Sequence, residues 1–307
     1  MSRHPSLSLA MSIALALGAL PAFAATPINE TRPLDPRGRI EIENIKGSID
    51  VQAWDRAEVK IEGSLGAGVE KLEIEGDRDH LAVRVKYPNR GNGLNMFGRN
   101  DKSEPTDLKL MVPRRADLSI DSVAADVGVT GVASGDLSID SVSGDVTVAA
   151  APGEATIDSV SGDLQLTINS SKVSIESVSG DIFLRGRLDG DIDLDSVSGN
   201  VDVAVHESRL RKLNGSTVSG DMSIGGALAK GGQIALDTVS GDLRLNLPKD
   251  LSATVRGESF SGDLSAPGAQ IDRPRHGPGS SFEHRYGSGD GEIRIETFSG
   301  NARLGLE

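Results

Sequence analysis

The sequence predicts an all-β chain: a β-solenoid of parallel strands, about 18–21 residues per coil, with a less regular N-terminal β region; the repeat does not set its handedness, for which right-handed crossovers are the general preference. Three observations predict it. The string Ile139-Asp140-Ser141-Val142-Ser143-Gly144-Asp145-Val146 recurs along the chain. The residues around its glycine alternate between apolar and polar at period two, the signature of strands. The composition, 37 glycines and only 3% aromatic residues in 307, suits thin layers of Val, Ile and Leu better than a large enzyme core.

The first 24 residues read as a signal peptide. Arg3 and His4 form a short basic stretch, Leu7 to Leu20 is apolar, and Ala22-Phe23-Ala24 has the small-x-small pattern of a cleavage site, so cleavage is expected after Ala24. The apolar run is shorter than the roughly 20 residues a membrane-spanning helix needs, and Pro21 follows it. No transmembrane segment is expected in the mature chain, residues 25–39 read as a linker, and the location is periplasmic or extracellular. With no cysteine, the chain cannot carry a lipidated N-terminal cysteine, a disulfide or a thiolate-ligated metal. Removal of Arg3 leaves 31 bases against 45 acids, a charge of −14. That balance argues against nucleic acid as a partner.

The regular repeats occupy residues 117–307. Numbered by the corner glycine, the copies fall at 125, 144, 162, 180, 199, 220, 241, 262 and 300, with Ala125 replacing the first glycine. Columns seven before the glycine (Leu118, Leu137, Ala155, Val173) and two after it (Val127, Val146, Leu164, Ile182) are apolar. So is the column two before it, where Val123, Val142, Val160, Val178, Val197, Val218, Val239, Phe260 and Phe298 stand. These columns are expected to form the core, with a three-residue step between the columns five and two before the glycine marking a bend. A single unit cannot bury its apolar face. Units stacked about 4.8 Å apart can, which favours a solenoid of about 13 coils, roughly 60 Å long, over an antiparallel meander with a hairpin at each Ser-Gly-Asp.

Residues 40–116 read as a degenerate N-terminal part of the solenoid. A further copy lies in Ile40 to Val51 around Gly47, Ala57 to Gly63 and Val69 to Tyr87 read as strands, and Gly76 to His80 reads as a hairpin turn. Two loops are expected, at 89–105 and 267–289. The first carries Met96 and Phe97; the second carries Arg273, Arg275, His276, His284 and Arg285, the only locally basic patch. The last strand, Ala302 to Leu306, runs almost to the terminus, so an open sheet edge and self-association through the solenoid end are expected.

The Ser-Val-Ser-Gly-Asp corners, Asn44-Ile45-Lys46-Gly47-Ser48-Ile49 followed by Val51-Gln52-Ala53-Trp54-Asp55, and Gly289-Asp290-Gly291 before Thr297-Phe298-Ser299-Gly300 resemble the bacterial β-strand-repeat family called domain of unknown function 4097, also labelled "putative adhesin". The resemblance spans Ile40 to Glu307. It implies a β-solenoid resembling a right-handed single-stranded parallel β-helix, in exported or envelope-linked proteins, and carries no established active site.

Two acidic columns flank the corner. Four before the glycine stand Asp121, Asp140, Asp158, Glu176, Asp195, Asp237, Glu258 and Glu296; one after it stand Asp126, Asp145, Asp163, Asp181, Asp221, Asp242 and Asp263, with Asn200 and Asn301 substituting. Stacked like charges about 5 Å apart cost about 0.8 kcal/mol per exposed neighbour in water. Either calcium bridges them, with Asp145, Asp163 and Asp181 as candidates, or Ser and Asp accept turn amide hydrogens. Catalysis finds little support, because the acids form rows and do not converge, and His276 and His284 sit on a Gly/Pro-rich loop. No catalytic residue and no cofactor is expected. The reading is a non-catalytic envelope module that binds or scaffolds an envelope protein or a glycan. The alternatives are a polysaccharide-active β-helix lyase or hydrolase, and a ligand-free spacer.

Overall fold

The computed structural model describes residues 26–88, 103–275 and 278–307. These residues are all-β, with 22 strands in one mostly parallel sheet system. The N-terminal part holds β1 (Thr26–Pro33), β2 (Arg39–Trp54), β3 (Glu58–Leu65), β4 (Lys71–Gly76), β5 (His80–Lys86), β6 (Thr106–Pro113) and β7 (Asp117–Thr130). β2 and β7 pair in parallel, with Gly47 opposite Ala125, so the early copy around Gly47 is a true coil. β4 and β5 form an antiparallel hairpin. Its turn is closed by Asp77, whose Oδ1 accepts the amides of Asp79 and His80 at 2.9 and 3.0 Å.

The regular coils follow as β8 (Asp136–Ser143), β9 (Val146–Ala150), β10 (Glu154–Ser161), β11 (Leu164–Ile168), β12 (Ser170–Ser179), β13 (Ile182–Gly186), β14 (Leu188–Ser198), β15 (Val201–Ser219), β16 (Met222–Ser240) and β17 (Leu243–Leu247). Identical columns stack: Ile139 pairs with Ile157, Ile157 with Ile175, and Ile175 with Leu194. The parallel register that repetition demands is therefore present, and the hairpin meander is not. Counting the first-sheet segments in β5, β2, β7, β8, β10, β12, β14, β15, β16, β21 and β18 gives eleven coils, about 50 Å of rod at strand spacing, fewer than the 13 expected.

The C-terminal order departs from the sequence order. The remaining strands are β18 (Ala253–Ser259), β19 (Leu264–Ser265), β20 (Ser280–Tyr286), β21 (Gly291–Ser299) and β22 (Ala302–Leu306). β21 lies between β16 and β18, and β22 pairs with both β17 and β19. The last coil in sequence is thus the penultimate one in space. β22 is therefore not the outermost strand, and β19 covers it over Ala302 and Arg303.

The outer coil, β18 with β19, is covered along β18 by β20, which runs antiparallel. The segment read as a loop over 267–289 therefore contains a capping strand. Gly257 makes the cap possible: a Cβ there would meet the Phe282 ring at 2.2 Å, so the missing side chain leaves room for the one aromatic ring of β20 that is buried. At the other end β4 covers β5, and β3 and β1 cover β6, again antiparallel. Antiparallel caps break the parallel repeat that an added coil would extend.

The core lies between the two faces of the stack and consists mainly of Ile, Leu and Val. The column two before the glycine is not part of it. Val123, Val142, Val160, Val178, Val197, Val218 and Val239 are 46–51% exposed, and Phe260 and Phe298 are 49% and 56% exposed. The column three before the glycine points inward instead, as Ser122, Ser141, Ser159, Ser177, Ser196, Thr217, Thr238, Ser259 and Thr297, all buried. Alternation thus runs unbroken to that hydroxyl column. The phase changes across the corner itself, between three before and two after the glycine. The corner narrows the coil, and a small hydroxyl residue fits there where valine does not: in the first copy Ser122 Oγ donates to the Ala125 carbonyl at 2.7 Å and accepts the Ala125 amide at 3.1 Å.

Candidate binding groove

The inward hydroxyl column, with one wall on either side, forms a groove along the rod. One wall is the exposed apolar ridge, which begins with Ile45, 42% exposed, and runs through the valines to Phe298 and Phe260. The other is the acidic column four before the glycine, joined by Glu43. Two adjoining stretches of about 1070 and 790 Å³ share Ser216 and Val218, so the groove is continuous from Tyr87 to the capped end, where Pro274 and Ser281 line it. From the coil of Val123 onward each contributes one ridge residue, one floor hydroxyl and one wall residue, and the Gly47 coil contributes Ile45, Asn44 and Glu43. The groove is therefore a direct product of the repeat.

Stacking places the ridge residues in one line because the parallel register is unshifted across the corner from β8 to β12. At the capped end the rings of Phe260 and Phe298 stack, with centroids 4.7 Å apart and planes at 5°. On the floor, the hydroxyls of Ser159, Ser177, Ser196, Thr217, Thr238 and Thr297 are buried without a hydrogen-bond partner. The equivalent hydroxyls of Ser141 and Ser259 donate to the corner carbonyls of Gly144 and Gly300 at 3.5 Å.

The acidic wall is electrostatically loaded. Burial, then Asp140, Glu43 and Glu41, pushes the Asp121 carboxyl above the ordinary carboxylate range. Burial, then Asp140 and Glu176, does the same to Asp158, and burial with Glu296 does so to Asp237. Cations reach the wall near its ends: Arg84 pairs with Glu43 at 2.5 Å and with Glu41 at 3.1 Å, and Arg294 pairs with Glu296 at 2.5 Å. Between them Asp140, Asp158 and Glu176 have no ion pair among the described residues.

The second acidic column has a different occupation. Asp145 Oδ1 accepts the Asp163 amide at 3.0 Å, Asp163 accepts that of Asp181 at 3.0 Å, and Asp181 accepts that of Asn200 at 2.8 Å. The ladder continues through Asn200, Asp221 and Asp242 to Asn301 and Asp263. Each side chain satisfies a corner amide one coil along the stack. Asn does this as well as Asp, which explains the two substitutions in the column. No group of three or more His, Asp or Glu placed to hold a metal ion occurs among the described residues.

The other residues singled out from the sequence are scattered. Met96, Phe97 and His276 lie outside the described residues, as does the signal-peptide segment. Arg273 pairs with Asp263 at 2.8 Å and Arg275 is exposed. His284 packs edge-on against Tyr286 at 4.6 Å, and Arg285 donates to the Ser288 carbonyl at 2.9 Å. His284 and Arg285 belong to β20 and project to opposite faces of it. The basic residues therefore do not converge. Sequence reasoning missed the groove because it assigned the valine column to the core; the signal that could have found it was the equally regular Ser/Thr column beside it.

Comparison with known proteins agrees with this architecture. The family model described as Toastrack DUF4097 matches residues 38–186, 116–233 and 228–304. No curated protein matches the chain in sequence. Among solved structures, one titled "putative lipid binding protein" from Parabacteroides distasonis ATCC 8503 is 13% identical, with a TM-score of 0.51 over 91% of this chain and 96% of that one. A "putative adhesin" from the same organism is 12% identical, with a TM-score of 0.43 over 91% and 97%. A "putative adhesin" from Bacteroides fragilis NCTC 9343 is 13% identical, with a TM-score of 0.39 over 91% and 97%. At such identities the likeness concerns the fold alone. With the family model matching nearly the whole described chain, from the coil of Gly47 to that of Gly300, the chain belongs to the Toastrack DUF4097 family.

Proposed function

We propose that the chain is an exported, non-catalytic envelope module that binds an extended ligand along the groove, in the manner of an adhesin or scaffold. The observation that carries this reading is the ridge of half-exposed valines and phenylalanines, repeated coil after coil. A monomeric soluble protein rarely leaves a contiguous apolar stripe of this length uncovered, and such stripes mark interaction surfaces. The signal-peptide pattern of the first 24 residues supports export. The acids of the groove wall stand in a row and, among the described residues, the basic residues of β20 and its approach do not gather at one point, so the arrangement gives a lyase or hydrolase little support.

The test is a pull-down from envelope extracts with the mature chain and with Val142→Ser/Val160→Ser/Val178→Ser. Partners retained by the wild type and lost from the ridge variant are expected. An identical partner set on both proteins would reject the groove. Turnover of acidic polysaccharides by the wild type would favour an enzyme, and the absence of any partner a spacer.

A further inference from the structure

Resting on that reading, we infer that the occupant of the groove is an extended polypeptide segment in which Lys or Arg alternates with aliphatic residues, the cations facing the Asp/Glu wall and the aliphatic side chains facing the Val ridge.

The two walls differ in chemistry, with Val142, Val160 and Val178 on one side and Asp140, Asp158 and Glu176 on the other, Ser216 alone interrupting the acids. An extended strand sends successive side chains to opposite sides, so a period-two sequence meets both walls at once. An α-helix offers one apolar stripe and fits a groove with apolar walls on both sides. The ridge spans ten coils from Ile45 to Phe260, about 43 Å, which an extended segment of roughly 13 residues covers.

Charge decides against other extended ligands. Among the described residues Asp140, Asp158 and Glu176 have no cationic partner, and Asp158 faces both of the others, so an anionic glycan or an anionic lipid headgroup would add to the repulsion, whereas a cation offsets it. The same repulsion, with the net charge of −13, opposes a second copy of this chain laid groove to groove. Neutral sugars favour aromatic platforms, and the ridge is valine along seven of its coils. An acyl chain needs enclosure, which a single open ridge does not give.

The experiment measures binding of the mature chain to a fluorescent peptide of alternating Lys and Val, roughly 13 residues long. Two control peptides replace either every Val by Ser or every Lys by Glu, and vesicles of phosphatidylglycerol or phosphatidylcholine form a separate arm. Three variants accompany the wild type: a wall variant (Asp140→Asn/Asp158→Asn/Glu176→Gln), a ridge variant (Val142→Ser/Val160→Ser/Val178→Ser) and an off-groove variant of equal charge change (Glu70→Gln/Glu75→Gln/Asp189→Asn). Circular dichroism confirms that each is folded.

Saturable binding of the Lys-Val peptide is expected, weakened about tenfold or more by the wall and by the ridge variant and within about twofold of wild type for the off-groove variant. Both control peptides are expected to bind at least about tenfold more weakly. Equal loss in the off-groove variant, or equal binding of the Lys-Ser peptide, would overturn the inference by showing charge attraction alone. Vesicle binding lost in the ridge variant, without peptide binding, would overturn the inference while leaving the groove a binding site. Binding of neither peptide nor vesicles would overturn it too, and the envelope pull-down then decides separately whether the groove binds anything.

Discussion

The rings of Phe260 and Phe298 lie 4.7 Å apart and 5° from parallel, although the later residue sits one coil nearer the middle of the rod. The stack records the exchange of the last two coils. Both rings are about half-exposed, so the pair adds little core burial and acts through its own contact. A double-mutant cycle with Phe260→Ala and Phe298→Ala, read by urea unfolding, should give a coupling of about 1 kcal/mol. A coupling near zero would mean that the rings do not stack in solution.

The corner glycines are expected to tolerate no side chain. Gly180 has φ of 133°, and a Cβ there would meet the Gly162 carbonyl oxygen at 2.2 Å. Gly180→Ala should cost about 3 kcal/mol or more, from backbone strain and a clash with the coil below. Ala125→Gly should change stability by about 1 kcal/mol at most, because Ala125 is not among the positive-φ residues and its corner is held by Ser122. Denaturant titration of both variants checks the contrast.

The aspartate ladder should depend on the oxygen and not on the charge. Asp163→Ala removes the acceptor of the Asp181 amide and should cost about 1 kcal/mol, whereas Asp163→Asn should be nearly neutral. Because Asp145, Asp163 and Asp181 each spend Oδ1 on an amide, thermal unfolding with calcium and with chelator should give the same midpoint. A midpoint several degrees higher in calcium would establish a metal site there.

The groove wall should show the opposite pH behaviour from an ordinary stabilising carboxylate. Asp121, Asp158 and Asp237 titrate higher folded than unfolded, so folding favours their protonated forms. Their contribution is present below the ordinary carboxylate range and is lost as pH rises through the raised values. Asp121 faces Asp140, Glu43, Glu41 and Arg84; Asp158 faces Asp140 and Glu176; Asp237 faces Glu296 and Arg294. The variant Asp121→Asn/Asp158→Asn/Asp237→Asn should melt about 2 °C or more above wild type at neutral pH, the gap closing towards pH ~3. A variant less stable than wild type at neutral pH would contradict the loaded wall.

The cap should control association. Phe282 fills the space left by Gly257, and Phe282→Ala should loosen β20 and expose the β18 edge. Size-exclusion chromatography should then show larger species than for wild type, together with a loss of about 3 kcal/mol in stability. An unchanged elution profile would mean that β20 does not shield the end.

The repeat itself was legible in the sequence. Ile139, Ile157, Ile175 and Leu194 share a column because an unbroken 18–19-residue period can stack only in register, and the register is what the structure shows. The hairpin at Asp77 was legible from its turn residues, and the early coil at Gly47 from its resemblance to the later corners. The cap was not legible. β20 lacks the repeat motif, and its place depends on the absence of a side chain at Gly257.

The sequence by itself determined a stacked β chain with glycine corners and two acidic rows, because periodicity and composition are local properties. Only the tertiary structure decided which side of the corner each row occupies. Alternation counts parity along a strand, and a corner resets that parity by an amount fixed by backbone geometry. That reset puts Ser159 inside and Val160 outside, and makes the ridge of a groove from the valine column that pattern alone assigned to the core.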